Sequence, residues 1–481
     1  MSARKRALLV VHRFWPHPGG SERLFYNVAR RLADRGLEVT VFTTDAWHPE
    51  SFHSPHKQRL RAGLETHEGL TIRRFALRNI PLQFKVLRAV SWLPFEIVRL
   101  LSGSPYVFVP QYLEEVFRNR PEFDIVIAGV LPYTHLIYPA AWLARLHRVP
   151  WVCVPLVHTG VAGGGPSPGY LTGPQLRLLK GADAIVTATE AESRALAARG
   201  LDPSKIHRVG VGIDPREFAG GEAGRFRERF HLDGQLVLQV STLSRAKGAT
   251  DLVEAMKLLW AAGGDARLVL IGPSMGDFER DLASQPEHVR ERILYLGMTD
   301  EATKKDAYAA CDVFVMASSA DSFGTVYLEA WLYGKPVVGA DAGGVPDVVS
   351  RGRDGLLVRF GRHAELAGAV SELLADAGLR RRLGEAGRRK VLDEYTWDGV
   401  FGRLARVIDP LLARDGDRSP DQHREPDERE EQAVTSLHPQ SGLEPQPAPE
   451  RPQRPRDVQG PHERAQEQQP RQDADLGQAG D

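Results

Sequence analysis

Residues 317–349 read ASSADSFGTVYLEAWLYGKPVVGADAGGVPDVV, and the rest of the chain can be organised around them. The apolar run just before, 312–317, predicts a buried parallel strand, and residues 326–333 predict a helix that ends at a glycine. Ligands bind to open parallel sheets where a strand ends and the next helix begins. The amides of Gly324 and Thr325 would favour an anionic group there, because the helix dipole and the unpaired N–H groups point at it.

Two carboxylates mark this stretch. Asp321 lies in the turn, and Glu329 follows eight positions later inside an apolar helical run. A charge in such a run must be paired, hydrogen-bonded or turned toward a polar cavity. Two partners fit Glu329: a neighbouring arginine in an ion pair, or a ribose diol whose adjacent hydroxyls donate to one carboxylate. Spacing alone leaves both open.

The composition narrows the class of protein. The 481 residues carry 62 Lys+Arg and 62 Asp+Glu, so the net charge is zero and no nucleic-acid-binding surface is indicated. Cys153 and Cys311 both lie in apolar segments, which is typical of a reducing compartment without disulfides. No uninterrupted apolar run could span a membrane, since the best stretch, 89–110, contains Glu96 and Arg99. These features predict a cytoplasmic protein, with the inner face of the membrane as an open alternative.

The N-terminal half starts with a strand, 7–11, and a turn that contains Gly19 and Gly20 before a helix. From the residues alone, these glycines fit an ordinary strand-to-helix turn that needs glycine for its dihedral angles. A later strand, 151–157, ends in His158 beside a glycine-rich loop, which predicts a histidine at the rim of the crevice. A structural hydrogen-bonding role is the alternative for His158.

Residues 80–101 mix aromatic side chains with lysine and arginine. They predict either a packed helical subdomain or a basic and aromatic face for peripheral membrane contact through the N-terminal domain. Pro94 interrupts the helical pattern, and the packed subdomain is the favoured interpretation.

The second half repeats the strand–loop–helix pattern. After a strand at 235–240, the loop 241–248 (STLSRAKG) carries Arg245 and Lys247 ahead of a helix. Two cations on such a loop favour a pyrophosphate group. The turns at Gly272 and at Met298 follow the next two strands and are expected to face the nucleotide.

The last part of the chain has a different composition. Residues 413–481 contain no Phe, Trp, Tyr or Lys and are dense in Gln, Pro, Arg, Glu and Asp. Such a segment cannot bury a core, so we predict a disordered tail.

The motifs resemble the donor-site signature of the family-4 retaining glycosyltransferases (glycosyl transferases group 1). The resemblance rests on D-S-F-G-x-x-x-x-E-A from Asp321, followed by G-K-P-V-V and G-G-V-P-D, and it covers about residues 7–412. The family usually has glutamate where Asp321 stands. The resemblance implies an α/β protein of the GT-B fold, with two Rossmann-like domains facing across a cleft.

The implied domains follow from that fold. An acceptor domain would occupy 1–205 and a donor domain 206–395, because 206–218 resembles the family's interdomain segment. Residues 396–412 would form a terminal helix that crosses back to the first domain, and the tail 413–481 would lie outside the fold.

The resemblance also implies residue roles. Gly19 and Gly20 match a glycine pair that lets the backbone approach the donor phosphates. Lys247 would stabilise the leaving diphosphate, Asp321 would hold hydroxyls of the transferred sugar, and His158 would contact that sugar from the other domain. Thr242 stands where the family has an arginine, so Arg245 is the expected substitute. The full donor-binding set is Gly19, Gly20, Arg245, Lys247, Gly272, Met298, Ser322, Phe323, Gly324, Thr325 and Glu329. No metal or cofactor is implied.

The predicted activity is retaining transfer of a sugar from a nucleotide-diphosphate donor to a glycan, lipid-linked or small-molecule acceptor. Two alternatives stay open: a sugar-nucleotide 2-epimerase of the same fold, and a catalytically silent nucleotide-sugar-binding protein.

Overall fold

Two sheets with helices packed against them make up the described residues, which are 4–413 without 18, 48, 53, 55, 104 and 161–168. The structure is a computed structural model. The disordered tail predicted for 413–481 lies outside the described residues apart from Ala413.

The strands are β1 (Arg6–Val10), β2 (Glu38–Thr44), β3 (Gly63–His67), β4 (Leu70–Phe75), β5 (Ile125–Ala128), β6 (Trp151–Cys153), β7 (Ala184–Thr187), β8 (Ile206–Arg208), β9 (Leu236–Val240), β10 (Arg267–Ile271), β11 (Ile293–Gly297), β12 (Val313–Met316), β13 (Val337–Ala340) and β14 (Gly355–Val358). The helices are α1 (Gly20–Asp34), α2 (Gln83–Val90), α3 (Glu96–Ser102), α4 (Pro110–Glu114), α5 (Thr134–Leu146), α6 (Gly173–Lys180), α7 (Glu190–Ala197), α8 (Ala223–Phe230), α9 (Ala249–Ala261), α10 (Phe278–Ala283), α11 (Glu287–Arg290), α12 (Glu301–Ala310), α13 (Thr325–Leu332), α14 (Val345–Val348), α15 (His363–Ala375), α16 (Ala377–Glu394) and α17 (Trp397–Ala413). Short 3-10 turns cover Pro49–Phe52, Pro203–Lys205 and Arg245–Lys247, and a π-helical turn covers Glu115–Asn119.

Within the described residues, the first sheet has eight strands in the order β3-β4-β2-β1-β5-β6-β7-β8, and the second has six in the order β11-β10-β9-β12-β13-β14. All neighbours are parallel except β3 and β4. In both sheets the strand order reverses beside the first strand, β1 or β9, and a crevice opens at such a reversal. The predicted α/β class with two parallel sheets is confirmed.

The central strands are apolar on both faces. The four residues from Ala7 to Val10 are fully buried, and so are those from Val313 to Val315. Continuous burial of this kind is expected when helices cover both faces of a parallel sheet, and it explains why these strands lack polar alternation.

The chain crosses between the sheets at two adjacent points. Ile213 donates its backbone N–H to Tyr395, and Trp397 donates back to Ile213. A Cβ on Gly212 would lie 2.5 Å from the Trp397 ring, so only glycine lets the two segments approach this closely. The two crossings together form the connection between the two sheets.

The first sheet extends further along the chain than predicted. β8 pairs with β7 in parallel register, so three residues past position 205 still belong to the first sheet. The helix predicted at 396–412 is observed as α17, and it packs against α1. Its contacts include the Arg35–Asp409 ion pair at 2.8 Å. The domain boundaries themselves stay a prediction.

Candidate active site

Two neighbouring strands of the second sheet, β9 and β12, end in loops that are bound to each other. Ser319 donates its backbone N–H to the carbonyl of Ala246 at 2.9 Å. Gly248 has φ +74, and a Cβ there would lie 2.3 Å from the carbonyl oxygen of Ala317. This contact needs glycine both for its dihedral angle and for its size, and it fixes the loop that carries Lys247 beside the loop that carries Asp321.

Lys247 and Asp321 form an ion pair. Nζ of Lys247 donates to Oδ2 of Asp321 at 2.7 Å. Burial alone would raise the pKa of Asp321, but Lys247, and more weakly His158, lower it below its usual value. The site therefore contains an ionised carboxylate at neutral pH, with a lysine ammonium bound to one of its oxygens.

His158 reaches this pair from the first domain. It follows β6, and its ring stacks on Tyr170 with centroids 5.3 Å apart. Burial lowers the pKa of His158, an effect that Asp321 opposes and Lys247 reinforces. The imidazole is therefore neutral at pH 7, with one ring nitrogen able to donate a hydrogen bond and the other able to accept one.

A backbone contact joins the two domains near His158. Gly343 donates its N–H to the carbonyl of Gly160 at 2.8 Å. A Cβ on Gly344 would lie 2.9 Å from Cγ2 of Thr189, a residue of the first domain. The G-G-V-P turn is thus a close-packed contact between the domains.

The starts of α1 and α13 face each other across the cleft. The Cβ position of Gly20 lies 4.0 Å from Oγ1 of Thr325. Gly324 takes φ +84 just before α13, where a Cβ would lie 2.5 Å from the Tyr327 ring. The free N–H groups and dipoles of both helices are directed toward the same space, which favours an anion there.

Gly19 and Gly20, at the start of α1, lack a side chain for different structural reasons. Gly19 has an ordinary φ of −68, but a Cβ there would lie 2.3 Å from Oε2 of Glu22. Gly20 has no such neighbour and borders the open cleft. The dihedral-angle explanation therefore applies to neither, because neither is in the left-handed region.

Glu329 is buried between two cations. Its carboxylate lies 3.9 Å from Nη1 of Arg23, across the cleft, and 3.7 Å from Nζ of Lys304. Arg23 also pairs with Glu301 at 3.2 Å. This is the ion-pair arrangement that the sequence left open, and it joins the two domains. A ribose contact for Glu329 stays a prediction.

The remaining predicted donor residues lie at the same edge of the second sheet but differ in exposure. Arg245 is exposed and has no ion pair within the described part of the chain. Gly272 has φ +130 and packs on the backbone of Ser241, at the end of β9. Met298 is exposed, and Ser322 is half-buried. Phe323 is buried with its ring 5.4 Å from that of Tyr395, so any donor contact would come from its backbone.

Sequence reasoning missed a charged cluster under the β1–α1 turn. The buried carboxylate of Glu22 lies 2.8 Å from Nε of Arg13 and 3.4 Å from Nε2 of His12, and Ser21 donates to it. Burial lowers the pKa of His12 to about 4. The sequence pattern indicates only that Glu22 lies in the first turn of a helix. The available signal was a carboxylate two positions after the glycine pair.

Asp347 is a second residue that the sequence did not single out. Its carboxylate accepts from the backbone N–H of Ala191 at 2.6 Å, in the first turn of α7. It thereby caps a helix of the first domain from the second domain. Within the described residues, no group of three or more His, Cys, Asp or Glu side chains is placed to hold a metal ion.

Two protein families match the chain, one on each domain. Residues 19–212 match the glycosyl transferase 4-like domain, and residues 222–390 match glycosyl transferases group 1.

Two relatives cover most of the fold. The D-inositol 3-phosphate glycosyltransferase of Xylanimonas cellulosilytica is 30% identical over 418 residues, which span 81% of this chain and 91% of the relative. The protein of the same name from Acidothermus cellulolyticus is 29% identical over 424 residues, spanning 82% and 86%.

Solved structures share the architecture at low sequence identity. HepE from Anabaena, solved with UDP and glucose, aligns with a TM-score of 0.64 and 18% identity over 85% of this chain and all of that one. Sucrose-phosphate synthase from Thermosynechococcus elongatus aligns with a TM-score of 0.64 and 19% identity over the same shares. These similarities show the GT-B fold. With both domain families matched in order and a relative at 30% identity over most of its length, the chain belongs to the family-4 (group 1) glycosyltransferases.

Proposed function

We propose that this glycosyltransferase moves a sugar from a nucleoside diphosphate donor to an acceptor with retention at the anomeric carbon and without a metal ion. One observation carries the proposal: His158 from the first domain joins Lys247 and Asp321 from the second at the carboxyl ends of the strands. A neutral imidazole, an ammonium and a carboxylate held together at that edge can bind the sugar and the diphosphate at once.

Lys247 supplies the charge for the leaving group. Its ammonium has three N–H bonds, and only one is directed at Asp321, so the other two are available to phosphate oxygens. The facing starts of α1 and α13 add backbone N–H groups from Gly20 and Thr325. Electrostatic stabilisation of the departing diphosphate by these groups is the main catalytic contribution of the chain.

Asp321 and His158 orient the sugar. The ionised carboxylate accepts hydrogen bonds from sugar hydroxyls, and the neutral imidazole donates one from the opposite side of the cleft. In the retaining step, the bond from the anomeric carbon to the phosphate oxygen breaks. The bond to the acceptor oxygen forms on the same face, and the acceptor's proton passes to the departing phosphate.

The relatives suggest which substrates to test first. Two of them are named D-inositol 3-phosphate glycosyltransferases, and HepE was solved with UDP and glucose. We therefore propose UDP-sugars as the first donors and an inositol phosphate as the first small-molecule acceptor. Glycans and lipid-linked sugars follow as the other acceptor classes.

A donor screen followed by product analysis tests the proposal. A nucleotide sugar that binds the folded protein raises its melting temperature by mass action, which selects the donor. NMR of the reaction with that donor then shows an acceptor glycoside with unchanged anomeric configuration, and chelator leaves the rate unchanged.

The same experiment separates the alternatives. Interconversion of nucleotide sugars without an acceptor would identify an epimerase, and binding without transfer or hydrolysis would identify a silent binding protein. Asp321→Asn should abolish transfer. Glu254→Gln, which changes a carboxylate on the exposed side of α9, should not.

A further inference from the structure

Exposed apolar side chains are concentrated in one short segment of the first domain. Six large hydrophobic residues between 82 and 95 are open to solvent, with Trp92 at 75%, Phe95 at 60% and Phe84 at 56% exposure. The other three are Leu82, Val86 and Leu93. We call α2, α3 and the turn between them the apolar hairpin. A cluster of this kind on a folded domain usually marks a binding surface.

The hairpin is held by one of its helices and exposed along the other. α3 packs on α5 and buries Ile97 and Leu100. In α2 only Gln83 is buried, where its side-chain amide donates to the backbone of Tyr106. The packed subdomain favoured from the sequence therefore describes α3, whereas α2 and the turn present their apolar side chains outward.

The charges around these side chains are mostly positive. Residues 78–102 contain Arg78, Lys85, Arg88 and Arg99, all exposed. The single acidic residue of the segment, Glu96, is paired with Arg177 at 2.6 Å. Tryptophan and phenylalanine next to exposed lysine and arginine are typical of elements that lie in the headgroup region of an anionic bilayer.

We propose that the apolar hairpin docks this protein onto an anionic lipid surface. No helix within the described residues is long and apolar enough to cross a bilayer. Contact would therefore lie in the plane of the membrane, with Trp92 and Phe95 inserted among the headgroups and the cations facing lipid phosphates. The proposal depends on surface composition alone and does not rest on the proposed transferase activity.

The apolar hairpin lies near the edge of the first sheet at which the cleft opens. A hollow of about 440 Å³ is lined by Trp92, Arg99, Thr134 and Thr172. Thr134 begins α5 just after the carboxyl end of β5, and that sheet edge also carries Gly20 and His158. A docked hairpin therefore brings the lipid surface to the edge of the first domain where the cleft opens.

Vesicle flotation of the full chain tests the proposal. Neutral phosphatidylcholine vesicles are compared with vesicles in which roughly a third of the lipid is phosphatidylglycerol. We expect binding to the anionic vesicles only, weakening as ionic strength rises, because salt screens the headgroup charge. Lys85→Gln with Arg88→Gln should weaken binding about twenty-fivefold, since each removed cation contributes about fivefold.

A second variant in the same vesicle experiment removes the exposed aromatic side chains. Trp92→Ser with Phe95→Ser should weaken vesicle binding about tenfold or more while leaving the melting temperature unchanged, because neither side chain is in the core. Leu258→Ser is the matched control, since it removes an exposed leucine from α9, in the second domain. It should bind vesicles as the unmodified chain does.

Three outcomes would overturn the proposal. They are no vesicle binding by the intact chain, equal binding to neutral and anionic vesicles, or binding that the Trp92 and Phe95 changes leave intact. A concentration-dependent dimer that these same changes dissociate, without vesicle binding, would assign the hairpin to a second copy of the chain.

Discussion

Replacing Lys247 by alanine should change both the rate and the stability of this protein, and the structure separates the two effects. Without the ammonium, one preorganised cation no longer opposes the charge that develops on the leaving diphosphate. Loss of one such group typically costs about 3–4 kcal/mol in the transition state, so turnover should fall about a few hundredfold.

The stability effect comes from Asp321, which loses its partner at 2.7 Å. Breaking a fully buried pair by removing one member costs about 3–5 kcal/mol. Here the Lys247 side chain is 28% exposed and that of Asp321 12%, so solvent already screens part of the charge. We therefore expect the free energy of unfolding to fall by about 1–2 kcal/mol.

The stability loss should depend on pH. In the intact protein the pKa of Asp321 is lowered on folding, so its contribution is present above the unfolded pKa and lost as pH falls through the folded pKa. In Lys247→Ala, burial acts on Asp321 with only His158 and the backbone N–H of Phe323 opposing it, so its folded pKa rises and the ionised form destabilises the fold. Protonation of Asp321 at lower pH removes this destabilisation. The stability difference between the two proteins should therefore shrink between about pH 7 and about pH 4.

Urea denaturation at both pH values, with turnover measured on the donor from the screen, tests this reasoning. Lys257→Ala is the matched control, because Lys257 pairs with Glu254 at 3.0 Å on the exposed side of α9. It should change stability by less than about 0.5 kcal/mol. Adding Asp321→Asn to Lys247→Ala should restore stability but not turnover. A Lys247→Ala protein with turnover within about threefold of normal would refute the leaving-group role.

Three further predictions concern Glu329, the two glycines at the start of α1, and the C-terminal tail. Glu329→Gln should weaken nucleoside diphosphate binding in calorimetry by about 1–2 kcal/mol if the carboxylate also holds ribose, whereas Glu301→Gln, which changes the other partner of Arg23, should not. Gly19→Ala should lower the free energy of unfolding by about 1–3 kcal/mol, because its Cβ would overlap Glu22. Gly20→Ala should leave stability intact and reduce donor affinity, and equal effects of the two changes on melting temperature would contradict the assignment. Cutting the chain after residue 413 should leave melting temperature and turnover unchanged, and a drop of several degrees would show that the tail packs on the fold.

The fold could be predicted from the sequence because its strands are continuous apolar runs separated by glycine-rich turns. The run 312–317 became β12, and the motif after it supplied both a strand end and a helix start. The same rule predicted that Lys247 and Asp321 lie at one edge of a sheet, since the carboxyl ends of parallel strands share an edge, but it did not predict that they are neighbours. What the pattern could not give was the order of the strands, which decides that β9 and β12 are neighbours.

Contacts between segments that are distant in the sequence could not be predicted, for a related reason. Glu329 has its cationic partners on α1 and α12, and neither lies near it in the sequence, so spacing could not distinguish an ion pair from a ribose contact. The ion pair and the ribose contact can now be compared by their effect on the contact between the domains. The buried carboxylate of Glu329 joins Arg23 to Lys304 and so stabilises the contact between the domains. A ribose that is hydrogen-bonded by other residues would leave this contact intact. A ribose that donates to Glu329 must instead compete with Arg23, so donor binding and domain closure would be coupled through this one side chain.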